Sequence, residues 1–489
     1  MVFSSTLFLF CFLPATLAGY CICTVLDKII FRGRRELGNI WLLIMSILFF
    51  SWSQINYLWI IALNIFINYV GAGIIHLKKE RGCLKASGVF AALTVFANLA
   101  LLFYFKYFDF TVDTVNYFFR RQIPLRNIIL PIGISFFTFQ AMSYTIDVYR
   151  GKASVQKNPL KLALYVMLFP QLIAGPIVRY TDVEAEIDKR NIDISDFSEG
   201  ARRFITGLGK KALIANTMAV TVDGIFSQGT ENNTVAIAWL GAVAYGLQIY
   251  FDFSGYSDMA IGLGRMFGFH FHENFDLPYI SRSITEFWRR WHISLSTWFR
   301  DYVYIPLGGN RHGALVTYRN LFIIFLLTGI WHGAAWHYVF WGVWHGMFML
   351  IERFLRKKDK ITVSPLWSIL SHVYTLLVVL MGWVFFRADS LKQGFWYIKT
   401  MFGRALGAEP GFSVMWYLDR WTLAMLLAGI MFSTGLPYKG ACLLRVKCEA
   451  AKKPMVYETA RDIWLLMLLV LSSMRIISGT YNPFIYFQF

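Results

Sequence analysis

Apolar stretches about one bilayer thick recur from one end of this chain to the other. A hydrocarbon core of about 30 Å takes ~20 helical residues to cross. Runs of that order lie near residues 3–26, 38–53, 56–76, 86–105, 128–147, 160–178, 236–256, 320–340, 366–386, 414–434 and 462–478. They predict about eleven transmembrane helices. Shorter runs at 108–119, 203–225, 341–355 and 391–403 fit interfacial helices, half-spans or broken helices. Lipid offers no partner to a backbone N–H or C=O, so the expected fold class is all-α, a polytopic integral membrane bundle. With 57% hydrophobic and 16% charged residues, the chain has too much apolar surface for a soluble domain to hide.

The net charge of +18 sits in the connections between these runs. In a soluble protein such an excess would raise nucleic-acid binding. Here it follows the positive-inside rule and contact with anionic lipid, and no nucleic-acid partner is expected. Arg32–Arg35 and Lys78–Lys85 flank two apolar runs, which predicts a hairpin between two cytoplasmic loops with its hinge at Ser53–Gln54. The basic connections Arg282–Arg319 and Arg353–Lys360 also read as cytoplasmic, and residues 179–203, of mixed sign, as solvated. The first run lacks the basic lead of a secretory signal and carries its positive cluster behind it. A retained first span with an extracytoplasmic N-terminus is expected, in a cell (inner or plasma) membrane. The six cysteines form no metal-type spacing beyond one C-x-C, and no disulfide framework is implied.

Between Tyr250 and Phe354 the sequence carries more than membrane filler. Asp252 and Asp258 lie on or at the end of an apolar helix, where a charge should face a cavity or a partner. An Arg partner, Arg265, Arg289 or Arg290, is one reading; a substrate passage is the other. From Glu286 to Arg311 aromatic and apolar residues alternate with basic ones at helical spacing, as on an interfacial amphipathic helix. His292 lies on that helix, where packing is the commoner role for a histidine. His332 is set about twelve residues into the apolar run that starts at Asn320, near the membrane middle by this count. An ionisable group there is a functional candidate, and low dielectric favours the neutral imidazole that can act as a base. Glycines at 329 and 333 allow close approach by a backbone or a substrate. His332, His337 and His345 point three ways on one helix, without the i, i+4 pairing of a helical zinc site, so no metal is expected. No G-x-S-x-G elbow and no phosphate-binding P-loop occurs.

The runs Y-F-D-F-S-G-Y-S-D-M-A-I-G at 250–262, W-R-R-W-H-I-S-L-S-T-W at 288–298 and G-I-W-H-G-A-A-W at 329–336 resemble the membrane-bound O-acyltransferase family. The likeness extends to I-G-I-S-F-F-T-F-Q at 132–140, P-Q-L-I-A-G-P-I at 170–177 and W-V-F-F-R-A at 383–388. The nearest branch is the bacterial one of alginate O-acetylation, with teichoic-acid D-alanyl transfer as a cousin. The resemblance implies a single domain over 1–489 with a catalytic core at about 128–355, and a funnel of helices around a central tunnel. His332 matches the family's catalytic histidine at the narrowing of that tunnel. His292 matches a second polar site, Asn or Asp in many relatives and His in this branch. Asp252, Asp258, Asn320, Trp331, Arg289 and Arg290 are candidates to line the passage or hold the donor.

The implied reaction carries an acyl group, most simply acetyl, from a cytoplasmic thioester to an extracytoplasmic polysaccharide. Acetyl-CoA or an acyl-carrier protein would be the donor, with no tightly bound cofactor. An exported or membrane-anchored acetyltransferase-like protein would be the partner. A transporter or flippase of an acylated carrier, with His332 as proton relay, is the rival expectation.

Overall fold

The computed structural model describes all residues except 192, 229–232, 356–363, 404–411, 480–484 and 486–489. Helices follow one another along the described residues, with no strand among them. They form two compact units, Met1–Phe204 with Tyr256–His272, and Ile205–Gly255 with Glu273–Phe489.

The first unit is built on helical hairpins. Helix α1 (Leu13–Ile30) pairs with α2 (Glu36–Gln54). Asp27, buried at the end of α1, accepts from the Leu37 and Gly38 N–H groups at 2.9 Å each. It so fills the open donors at the start of α2. Residues 36–80 form one 45-residue helical stretch, longer than one crossing of a ~30 Å core needs. It breaks at Gln54, whose side chain bonds Leu130 O and Ile132 N instead. The outer ends of the two halves, Glu36 and Lys79, bond Lys161 and Tyr149, on either side of one connection. The chain therefore doubles back at the predicted hinge, as α2 and α3 (Leu58–Glu80).

Helix α3 packs against α4 (Leu84–Leu102) and α5 (Ile134–Arg150) through buried amides. Asn64 and Asn68 donate to Asn98 Oδ1 at 2.7 and 2.9 Å, and Thr145 donates to Asn68 Oδ1 at 2.8 Å. Among apolar neighbours such bonds hold helices together where hydrophobic burial cannot discriminate. The N-terminal run joins an aromatic core in which the Phe3 ring stacks at 4.5 Å on Tyr256. The run 160–178, expected as one span, is instead broken: Leu168 leaves helical geometry at ψ 112 between Pro159–Met167 and a short turn holding Pro170. Proline's missing N–H and its clash with the preceding turn explain the interruption.

Helix α6 (Val235–Met266) gives its first part to the second unit and its end to the first. In the second unit follow α7 (Ile284–Arg290), α8 (Ile293–Phe299), α9 (Gly313–His332), α10 (Trp336–Leu355) and α11 (Pro365–Arg387). The single amphipathic helix expected over 286–311 is thus divided, with its break at His292. A Cβ on Gly342 would stand 2.3 Å from Phe325 O and 3.0 Å from Gly329 Cα. The two glycines let the backbones of α9 and α10 touch.

By length and composition, six helical stretches among the described residues can cross a membrane, or seven counting the bent pair Arg420–Ser433 and Leu436–Ala450. Six or seven is short of the expected eleven, partly because 36–80 counts once and partly because apolar runs such as 160–178 do not form one long helix.

Candidate functional site

His332 is the last residue of α9, not a mid-helix residue: the helix begins at Gly313 and stops at Gly333, whose backbone is extended. The imidazole is buried in aromatic rings. Trp331 and Trp341 lie at 5.0 Å and Phe386 at 5.2 Å, all near perpendicular. These rings come from α9, α10 and α11, and Gly333 leaves room for the ring of Tyr338. A histidine so enclosed is shielded from bulk water.

His292 stands at the corner between α7 and α8, outside the spanning helices, with φ 45 and ψ 55. The left-handed region costs a non-glycine residue about 1–2 kcal/mol, so packing must hold the corner. Asn274 does much of this. Its Oδ1 accepts from the Ser294 N–H at 3.1 Å and the Ser294 hydroxyl at 2.9 Å, and lies 3.1 Å from His292 Nδ1. Because that oxygen already accepts a backbone N–H, Nδ1 must be the donor toward it. The neutral ring then carries its lone pair on Nε2. Burial lowers the pKa of His292 from 6.5 to about 3, keeping the ring neutral. Its ring lies 6.1 Å from Trp331, which touches His332. The fold thus brings both histidines against one indole.

The other predicted residues divide. Asp252 is buried against Lys211 Nζ at 2.5 Å and accepts from Ile485 N at 2.9 Å. Asp258 pairs with Arg203 at 2.9 Å. Both carboxylates are paired, though not with Arg265, Arg289 or Arg290: Arg265 serves Asp196 and Glu199, while Arg290 serves Asp276 and Glu286. Asn320 donates to Leu307 O and Gly309 O at 3.1 and 3.0 Å, tying a glycine turn to α9. At ~1.5 Å per residue it sits about 18 Å up the helix from His332. Arg289 is exposed and lines a cavity of about 440 Å³ with Asp276, Ser283, Thr285, Glu286 and Arg290. The C-terminal aromatic stretch Tyr481–Phe489 lies outside the described residues except for the buried Ile485.

The sequence reading gave no role to Asn274 and considered His345 only as a metal ligand. A signal for His345 was present: the tripeptide Trp-His-Gly at 331–333 recurs at 344–346.

The sequence profile of MBOAT, the membrane-bound O-acyltransferase family, matches residues 47–387, which include both histidines and the rings around them. The chain belongs to this family. It is a membrane protein and an acyltransferase, and family membership gives the transporter alternative no support. It is 42% identical to a probable alginate O-acetylase of Pseudomonas putida, over all of both chains. It is 32% identical to a peptidoglycan O-acetyltransferase of Helicobacter pylori, covering all of this chain and 98% of the other. To a teichoic acid D-alanyltransferase of Bacillus subtilis the identity is 30%, over 54% of this chain and 70% of that one.

Proposed function

We propose that this acyltransferase moves an acetyl group from a cytoplasmic thioester, acetyl-CoA or an acylated carrier protein, to hydroxyls of an extracytoplasmic polysaccharide. Two full-length relatives named for O-acetylation of different polymers, alginate and peptidoglycan, support a sugar hydroxyl as the shared acceptor chemistry. An exported or membrane-anchored acetyltransferase-like partner completes the transfer outside. The protein sits in the cell membrane with its N-terminus outside and its basic connections in the cytoplasm.

The observation that carries this reading is the placement of His332 at the end of α9 among Trp331, Trp341 and Phe386. In the shielded pocket a neutral imidazole takes the hydroxyl proton as the hydroxyl oxygen bonds to the acyl carbon. The C–S bond then breaks, and the proton passes to the leaving thiolate. His292, held by Asn274, presents Nε2 to orient the donor. Arg289, in the cavity beside the ion-paired Arg290, gives the donor's phosphate groups a cation. Asp252, Asp258 and Asn320 belong to the framework.

The test is His332→Ala in sealed membranes with labelled acetyl-CoA. Loss of a general base removes about 10²–10⁴ of the rate. Undiminished transfer by folded variant protein would sink the assignment. For the donor cavity, Arg289→Gln should raise the KM for acetyl-CoA and leave kcat in place; an unchanged KM removes Arg289 from the donor site.

A further inference from the structure

The second Trp-His-Gly tripeptide has no place in the mechanism above. His345, on α10, is fully buried, and among the described residues neither ring nitrogen meets a hydrogen-bonding group. Its ring centre lies 5.2 Å from those of Trp288 and Trp341. Across from it stands Gly382 on α11, where a Cβ would come within 2.5 Å of His345 Nε2. Among the described residues the indole N–H of Trp341 is likewise buried without an acceptor. Trp341 is also the ring that packs against His332 at 5.0 Å.

A phenylalanine at 345 would fill similar space with no polar atom to satisfy. An unmet buried polar group loses its hydration with nothing in return, so an imidazole here is a costly way to fill a core. Unmet donors beside a reaction centre suit a ligand that arrives with an oxygen. Acyl transfer creates that need. As the hydroxyl oxygen bonds to the carbonyl carbon, the C=O π electrons move onto the acyl oxygen. They return when the C–S bond breaks and the thiolate takes the proton that His332 removed. Fixed donors in a water-free pocket favour the charged oxygen over the ground-state carbonyl.

We propose that the Trp341 indole N–H and an N–H of His345 are the hydrogen-bond donors that meet the acyl oxygen during transfer at His332. The inference rests on the reading of His332 as the base.

The experiment measures kcat and KM for acetyl-CoA on purified full-length protein in lipid nanodiscs, normalised to folded protein from thermal melts. Trp341→Phe removes the N–H and keeps an aromatic ring. It should lower kcat about 10²–10³-fold at a nearly constant KM, the effect of losing one such donor. His345→Phe should do the same, and His345→Gln, which keeps an N–H, should recover at least about tenfold over His345→Phe. The proposal is overturned if both phenylalanine variants keep kcat within about threefold of the parent. It is equally overturned if Gln is no better than Phe at 345. His332→Ala, run in parallel, separates the two ideas. An active His332→Ala removes the base reading; an inactive one beside active Trp341→Phe and His345→Phe removes only the donor assignment.

Discussion

The two units bury polar side chains in contrasting ways. In the first, Asn64, Asn68, Asn98 and Thr145 bond one another across α3, α4 and α5. In the second, the imidazoles of His332 and His345 lie ring against ring with Trp288, Trp331 and Trp341. Amides that find each other fix helix positions. Among the described residues, the aromatic wall around His345 leaves both of its ring nitrogens without a hydrogen-bonding group. Buried polarity in one membrane chain thus serves two ends, and the partner of each atom tells them apart better than its depth.

That distinction can be broken inside the second unit itself. Lys211 and Asp252 are a buried pair there, each side chain 2% exposed. If partnering decides, they are framework despite sharing a unit with His332. Lys211→Met strips the buried Asp252 of its lysine and leaves it the Ile485 N–H, and breaking such a pair costs about 3–5 kcal/mol. The double variant Lys211→Met, Asp252→Leu should recover most of that loss, because no charge is then left buried. Thermal melts in one detergent give the order: parent and double variant near each other, the single variant far below. A single variant that melts with the parent would show that the pair is solvated and not part of the core.

The next effect is smaller. Asn98 joins Asn64, Asn68 and Thr94 O. Interhelical hydrogen bonds in lipid are worth about 0.6 kcal/mol on average. Asn98→Leu should therefore cost about 1–2 kcal/mol in stability, and folded variant should keep its kcat. A fall in kcat with an unmoved melting temperature would put the first unit's amides into the chemistry and dissolve the contrast.

Much of this was legible in the sequence where the signal is local. Two basic clusters around two apolar runs predicted the hairpin that turns at Gln54, and the apolar run around His332 predicted its burial, though not that it ends the helix. What failed depends on tertiary partners. Asp252 was matched to arginines later in the chain, but folding brings Lys211, forty-one positions earlier, onto it. The run 160–178 is apolar enough for a span, yet Pro170 and the turn at Leu168 interrupt it. His345 was weighed only as a metal ligand, since no sequence spacing shows that its ring packs among Trp288 and Trp341. Nor does any pattern announce a left-handed histidine, because bonds to Asn274, eighteen positions earlier, help hold that conformation at 292.

The last effect concerns that histidine and uses pH. Burial holds its folded pKa at about 3, below the ordinary 6.5, so the unfolded chain takes up a proton that the folded chain refuses. The contribution is therefore absent above about pH 7 and grows as pH falls from 6.5 toward 3, always against the fold. His292→Asn suits the left-handed corner, which asparagine tolerates better than most residues, and it cannot titrate. Its melting temperature relative to the parent should rise between pH 7.5 and pH 5, while the other histidines contribute alike to both proteins and cancel. A difference that does not change with pH would mean that the His292 ring takes its proton as readily folded as unfolded. It would then be a wetted corner and not a neutral, water-shielded partner of the His332 pocket.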